Sequence, residues 1–315
     1  MILKNWIIVL NYNVASHTIG QIEALSSIER VGIIVVDNDS SPNDFILLSQ
    51  CCQALNGSVM DNHDTVENEL AASYVVEMGA RLVLFRCVKN FGYSGGNNVA
   101  LKILDPILGS AGQYLVINPD IIIEQATVNA LFENKAELCG PAIYEHYMKS
   151  VRPFDQIDFA TGFPSSGSHG EFAGPMLQGC CFKIMGSALS KYGFLPEENF
   201  LYEEEIKYFE RVHRLGGSVS YLSDVRIEHI GSVSIRKRSG NYYYYILRNR
   251  LTYFTEIAGP QYKQHGRFIR LYSAWLIDIL FSNIKMRNWE GLSGIFQGVW
   301  DGLHRIKGPR NTSGI

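Results

Sequence analysis

No Cys-X-X-Cys pair and no cysteine–histidine cluster with zinc spacing occurs in these 315 residues, although six cysteines are present. Cys51-Cys52 and Cys180-Cys181 are adjacent pairs, which suit buried thiols better than a disulfide framework and point to a reducing compartment. A long apolar core with a small-residue cleavage site is also missing at the start. Met1 to Asn13 carries one lysine and a short apolar run ending in Asn-Tyr-Asn, so it reads as a buried first strand rather than a signal peptide. The longest late apolar stretch, Leu271 to Ile284, is interrupted by Asp278 and is too short to span a bilayer. No glycine cluster follows the first strand, where the chain reads Asn11-Tyr-Asn-Val-Ala-Ser, which argues against a dinucleotide-dependent oxidoreductase. Internal repeats and low-complexity segments are absent, and no nucleic-acid partner is expected.

What is present is a globular composition, 46% hydrophobic and 19% charged, long enough for one large α/β domain and an appendage. The net charge of −3 hides an asymmetry. From Ile230 onward there are 13 Lys and Arg against 4 Asp and Glu, a net +9 that leaves −12 on the rest. An acidic body with a basic tail suits either a partner of opposite sign at the tail, such as phosphate or an anionic membrane, or a plain solvated basic surface.

Four short apolar runs, Trp6 to Leu10, Ile33 to Val36, Arg81 to Phe85 and Tyr114 to Ile117, read as buried parallel strands alternating with helices such as Ser94 to Leu104. That is the βαβ pattern of an open doubly wound sheet, whose ligands lie beyond the carboxyl ends of the strands. Residues 51 to 78 give no clear reading, and Val151 to Pro175 reads as loop. A strand at Cys180 to Met185, a helix from Tyr202 to Leu215 and two strands, Ser218 to Leu222 and Val225 to His229, come next. Helices are expected at Tyr242 to Ile257, Phe268 to Ile284 and Trp289 to Ile306.

The polar residues cluster at the strand ends. Asp37 could accept a hydrogen bond from a base imide or a ribose hydroxyl, or Asp37 or Asp39 could cap the next helix. Asn90-Phe-Gly-Tyr-Ser-Gly-Gly-Asn-Asn98 combines glycines, which admit close backbone approach, with a helix N-terminus, which favours anions; it could equally be a plain turn. Asn118-Pro-Asp120 puts a carboxylate where a magnesium or manganese ion bridging phosphates could sit, or makes a turn. Glu203-Glu-Glu205 opens a helix, where acids favour the dipole and where a general base could also stand. His229 ends a strand, a position more often structural than ligating.

The order of these segments resembles the family 2 glycosyltransferases, particularly bacterial rhamnosyltransferase-like members. The matching segments are Asn11-Tyr-Asn13, Val35 to Asn38, Asn90 to Asn98, Asn118 to Asp120, Gly179 to Phe194, Phe200 to Glu205, His229 and Tyr245 to Asn249, spread from residue 5 to about 310. One departure is plain: the family often reads Glu-Asp-X-Asp, and this chain has Glu204-Glu205-Ile-Lys207.

The resemblance implies a GT-A type α/β fold, a nucleotide-binding doubly wound mixed sheet with C-terminal helices, with residues 1–235 as the glycosyltransferase domain and 236–315 as a helical region for membrane or dimer contact. It implies inverting transfer from a nucleoside-diphosphate sugar, with UDP or dTDP favoured, to a glycan or lipid-linked acceptor in bacterial surface polysaccharide synthesis. Glu205, or Glu204 beside it, would be the base. Asp120 and His229 would hold a divalent Mg or Mn ion. Asn11, Asn13, Asp37, Asn38, Asn90, Gly92, Gly95, Asn97, Asn98 and Asn118 would line the donor site. The alternative is a nucleotide-sugar-binding protein of the same fold without activity, which Lys207 favours. The expected location is cytoplasmic, peripheral on the inner face of the membrane, with a homodimer as another use of the tail. Arg248, Arg250, Arg267, Arg270, Lys285 and Arg287, beside Tyr242 to Tyr245, Trp275, Phe281 and Trp289, suit an anionic lipid surface, or else packing onto the body or a second subunit.

Overall fold

The computed structural model describes residues 2–61, 65–152, 154–165, 172–231 and 239–311. The expected boundary between residues 235 and 236 lies outside the described residues, as do 166–171 of the expected loop. In chain order the elements begin β1 (Asn5–Asn11), α1 (Ala15–Ser26), β2 (Val31–Asp37), α2 (Pro42–Ala54), β3 (Ser58–Met60), α3 (Thr65–Glu77), β4 (Leu82–Arg86) and α4 (Gly92–Leu108). Then come β5 (Gln113–Ile117), β6 (Ile121–Ile122), α5 (Gln125–Glu133), β7 (Leu138–Glu145), β8 (Ser150–Arg152), β9 (Asp155–Asp158), β10 (Phe163–Pro164), β11 (Ala173–Met176), β12 (Cys181–Met185) and α6 (Gly186–Tyr192). The chain ends with α7 (Glu204–Arg214), β13 (Val219–His229), α8 (Gly240–Tyr253), α9 (Gly259–Tyr262), α10 (His265–Lys285) and α11 (Trp289–Leu303). A π-helical turn, Phe254–Ala258, separates α8 from α9.

Two compact units form. The first comprises Met1–Phe154, Leu177–Leu195 and Leu215–Gly231. Its ten-stranded sheet runs β3-β4-β2-β1-β5-β12-β7-β13-β6, with β8 on β7. Strands β3, β4, β2, β1 and β5 are mutually parallel. The central ones are buried on both faces: Trp6, Ile7, Ile8, Val9, Ile34, Val35 and Val36 have no exposed surface. Each large side chain so buried contributes about 1.5–3 kcal/mol, which is why these strands read as continuous apolar runs rather than alternating ones. Gly32 is required here, because a Cβ would lie 2.6 Å from the Trp6 indole. The chain leaves β1 toward β2 on one side and returns to β5 on the other, so the order reverses between β1 and β5. Crevices at such reversals are where open α/β sheets take ligands.

Beyond β5 the sheet becomes mixed. β12 is antiparallel to β5 and β7, and β13 is parallel to β7. The two strands expected at 218–222 and 225–229 are one strand with a register shift between Leu222 and Arg226. Residues 51–78 hold the end of α2, β3 and α3.

The second unit comprises Asp155–Met176, Pro196–Arg214 and Ser232–Ile315. The segment expected as loop contributes a small antiparallel sheet, β10-β9-β11, whose strands of two to four residues are too short to show periodicity. The helices pack around α8, which is buried nearly throughout. Tyr243, Tyr244, Tyr245, Arg248 and Arg250 are all inside, so they pack the unit and do not meet a lipid surface. α11 approaches α8 through glycines one turn apart. A Cβ on Gly294 would lie 2.0 Å from the Gly240 carbonyl oxygen, and one on Gly298 would lie 2.5 Å from the Tyr244 carbonyl oxygen.

Gly298→Ala should therefore force the helices apart and lower stability by about 1–3 kcal/mol. Gly20→Ala is the control. It lies within α1 with nothing inside 4 Å of a new Cβ, and should add about 0.5–1 kcal/mol. Denaturant midpoints check both; a Gly298→Ala variant as stable as the parent would refute the close-packing account.

Candidate active site

The carboxyl ends of β1, β2 and β4 stand level, because Asn11 pairs in register with Asp37 and Asp37 with Arg86. Asn11 Nδ2 donates to Asp37 Oδ1 at 2.9 Å, to Ser40 Oγ at 2.9 Å and to Asp44 Oδ2 at 3.2 Å, while its oxygen accepts from Thr18 Oγ1 at 2.8 Å. Asp37 is wholly buried; its other oxygen accepts from the Ser40 amide and lies 3.7 Å from Arg86 Nε. Burial raises the Asp37 pKa, against the hydrogen bonds from Ser40 and Asn11 and the Arg86 charge. Both residues order the loop after β2, and the cap of α2 is Ser41, not Asp37 or Asp39. Asn13 is exposed in the left-handed region, φ 56°, and its side-chain oxygen accepts from the Ser41 amide at 2.9 Å.

Asn38 carries the order onward. Its Nδ2 donates to Asn90 Oδ1 and the Gly92 carbonyl, both at 3.0 Å, and its oxygen accepts from the Phe91 amide at 2.9 Å. Asn90 Oδ1 also accepts from the Gly92 amide. The start of α4 is thereby fixed over the sheet. Gly92 and Gly95 are buried within it, and a Cβ on Gly95 would lie 2.7 Å from Phe91 Cβ. In its first turns the buried Ser94 Oγ and Asn97 Oδ1 have no hydrogen-bond partner, an arrangement that costs free energy unless a ligand or water completes it. Asn98 is different. Its amide exchanges two hydrogen bonds with the Leu195 backbone, at 2.8 and 3.1 Å, which tie α4 to the segment after α6. Asn118 is half-buried, with its backbone N–H on the Cys180 carbonyl at 2.9 Å.

The structure brings Asp120 and His229 together. His229 Nε2 lies 3.4 Å from Asp120 Oδ2, and Nδ1 lies 2.9 Å from Glu145 Oε2. Burial alone would lower the His229 pKa; hydrogen bonds and charge from Asp120 and Glu145 reverse this and push it up to about 9. A separation of 3.4 Å suits two neighbouring ligands of one divalent ion with bonds of about 2.0–2.2 Å. Glu145 on the far ring nitrogen is the carboxylate partner that orients ligating histidines. Among the described residues no group of three His, Cys, Asp or Glu that could hold a metal ion is found, so other ligands would have to come from a diphosphate and water. Sequence reasoning missed Glu145, the end of β7, which the parallel register sets opposite His229.

In the second unit, the segment before α7 is unusual: Phe200, Tyr202 and Glu203 all have positive φ, between 63° and 67°. Such backbone costs about 1–3 kcal/mol per residue and persists only where surroundings impose it. Here Asn249 Nδ2 donates to the carbonyls of Asn199, Leu201 and Tyr202, and Arg248 Nη2 donates to that of Asn199. This explains the Tyr245 to Asn249 segment, which the sequence offered without a role. The three glutamates then diverge. Glu203 forms a two-pronged ion pair with Arg250. Glu204 is buried, with Oε2 unpartnered, and burial, then Glu205 and Glu203, raise its pKa well above the ordinary value. Glu205 is half-buried. Lys207 is inside, 3.4 Å from Glu198, and burial lowers its pKa.

Because its folded pKa is raised, the stability Glu204 contributes is complete below its ordinary value of 4.5 and is lost as pH rises through the folded value. Glu204→Gln, always neutral, escapes that loss. The variant should gain stability over the parent as pH rises above that ordinary value in denaturant titrations. Parallel pH profiles would mean that Glu204 ionises without penalty.

No family model matches the chain. The low-salt glycan biosynthesis hexosyltransferase Agl10 of Haloferax volcanii is 23% identical over 317 residues, covering 96% of this chain and 90% of the relative. Among solved structures, the mannosyltransferase PcManGT from Pyrobaculum calidifontis, in complex with GDP-Man and Mn2+, matches with a TM-score of 0.54 at 11% identity, covering 95% of this chain and 87% of the neighbour. At that identity the structural likeness bears on the fold alone, and the architecture of this chain is the GT-A type shared with that glycosyltransferase.

Proposed function

We propose that the protein is an inverting glycosyltransferase, moving a hexosyl group from a nucleoside-diphosphate sugar to a glycan or lipid-linked acceptor. The observation that supports this most is the Asp120–His229 pair, backed by Glu145, at the carboxyl edge of a sheet of GT-A architecture. The Haloferax volcanii relative is a hexosyltransferase of glycan biosynthesis, in keeping with a hexosyl transfer, and the neighbour's complex with GDP-Man and Mn2+ is in keeping with a diphosphate donor and a divalent ion. A pyrimidine preference would rest on Asp37, whose carboxylate is buried and accepts from Asn11.

In the reaction an acceptor hydroxyl oxygen bonds to the anomeric carbon as the bond from that carbon to the diphosphate oxygen breaks. Its proton passes to the Glu205 carboxylate. A Mg or Mn ion held by Asp120 and His229 would neutralise charge on the departing diphosphate. Asn13, Asn38, Asn90, Asn97 and Asn118, with Gly92 and Gly95, shape the donor side. Glu204 stands next to the base in sequence, and burial raises its pKa. Lys207, the residue that favours a non-catalytic binder, is occupied by Glu198 inside the fold.

Glu205→Gln should bind donor normally and lose about 10²-fold or more of turnover; normal turnover in this variant, with Glu204→Gln dead, would reverse the assignment within the pair. For the metal, Asp120→Ala and His229→Ala should remove the manganese-dependent part of nucleoside-diphosphate affinity measured by calorimetry. Glu145→Gln should weaken metal affinity by about 10–100-fold while leaving metal-free binding unchanged. Affinity indifferent to chelator in the parent would take the ion out of the mechanism.

A further inference from the structure

The last two helices of the second unit carry an apolar surface that no described residue covers. α10 buries one face, with Phe268, Tyr272, Ile279 and Asn283 inside. Its other face is apolar too: Ile277 is 66% exposed, Phe281 71% and Ile284 60%, and their spacing of four and three puts them in one stripe. The turn into α11 continues the stripe with Met286 and Trp289, the latter 74% exposed.

α11 is inside out. Four of its seven buried residues are glycines, Gly291, Gly294, Gly298 and Gly302, whereas Phe296 and Trp300 face outward, 67% and 62% exposed. A helix stabilised only by its own unit puts its large side chains in and its small ones out. Here Leu292 and Ile295 are buried, but the aromatic Phe296 and Trp300, and Leu303, point away from the chain. A contiguous patch of this kind marks a contact with something apolar.

The surrounding charges identify the partner. Lys285 and Arg287 alternate with Ile284, Met286 and Trp289 at the turn, and all five are exposed. From Lys263 to Arg310 there are 8 Lys and Arg against 3 Asp and Glu, and of those acids Asp301 is buried on the Tyr244 hydroxyl. A two-fold contact between copies through this turn would set Lys285 and Arg287 against their own equivalents. An acidic bilayer surface accepts the apolar groups and the cations together, with tryptophan at the headgroup level. Among the described residues no helix is long and apolar enough to cross a membrane.

We propose that the α10–α11 hairpin, through Phe281, Ile284, Met286 and Trp289 with Lys285 and Arg287, docks this protein on anionic lipid bilayers. This does not rest on the catalytic reading. The full chain should co-sediment with vesicles of equal parts phosphatidylcholine and phosphatidylglycerol, less with phosphatidylcholine alone, and less as salt is raised. Phe281→Ser with Trp289→Ser should weaken partitioning at least about tenfold. Lys285→Glu with Arg287→Glu should remove the preference for phosphatidylglycerol. These side chains are exposed, so all variants should melt with the parent. The proposal is overturned if the folded parent ignores phosphatidylglycerol vesicles, if either double variant binds as the parent does, or if Trp289→Ser instead converts a dimer to a monomer in sedimentation equilibrium.

Discussion

Much of the first unit depends on one buried hydrogen bond, from the Asn11 amide to the Asp37 carboxylate at the ends of adjacent parallel strands. Neither group has any exposed surface, so neither can turn to water if the other is lost. Parallel register makes the bond, and the bond then orders the neighbouring loops. Ser40 and Asp44 close on Asn11, placing the loop after β2. Asn38 leaves that loop in position to hold Asn90, Phe91 and Gly92. The N-terminus of α4, with the unpartnered Ser94 and Asn97 oxygens, is thus positioned through a chain of satisfied amides that starts two strands away. Networks of this kind are rigid because leaving any member half-bonded in a low-dielectric interior is costly.

The second unit solves a different problem. Three residues in the left-handed region precede α7, and none is glycine. Their carbonyls point in directions no regular element would satisfy, and the Asn249 side chain gathers three neighbouring ones. Arg248, wholly inside, braces the same turn and also reaches the Gly308 carbonyl. Strain stored in this way marks segments whose geometry is needed for something other than stability.

How legible this was from sequence depends on the distance over which each feature is encoded. The strands of the parallel sheet were readable because burial on both faces leaves β-branched runs such as Ile33 to Val36. Asp120 and His229 could be proposed as partners because each closes a strand. Glu145 could not, since only the register of β7 on β13 sets it opposite His229, 84 positions away. A strand-end carboxylate such as Asp37 looks the same in sequence whether it faces a ligand or a neighbouring strand, so its bond to Asn11 was not legible there. Nor was the bond from Asn98 to the Leu195 backbone, 97 positions away. The two- to four-residue strands between 155 and 176 lie below any periodic signal, and the backbone of Phe200 and Tyr202 gives none, because aromatic residues are not expected at positive φ. The basic and aromatic residues of the tail were read as one population; folding separates them, taking Arg248, Arg250 and Tyr243 to Tyr245 inside and leaving Lys285, Arg287 and Trp289 out.

The run Glu203-Glu204-Glu205 shows why composition at a site does not assign roles. Three identical side chains in sequence would repel one another if all were ionised in the same surroundings. The fold separates them by environment. Glu203 is neutralised by the Arg250 guanidinium, which is itself sandwiched near Phe163 and Trp275. Glu204 sits where burial and its neighbours favour the protonated form. Glu205 keeps part of its surface in solvent. Different surroundings let one residue type do different work at one pH. Glu203 is committed to its arginine and Glu204 to burial, and the proposed transfer takes Glu205 as its base.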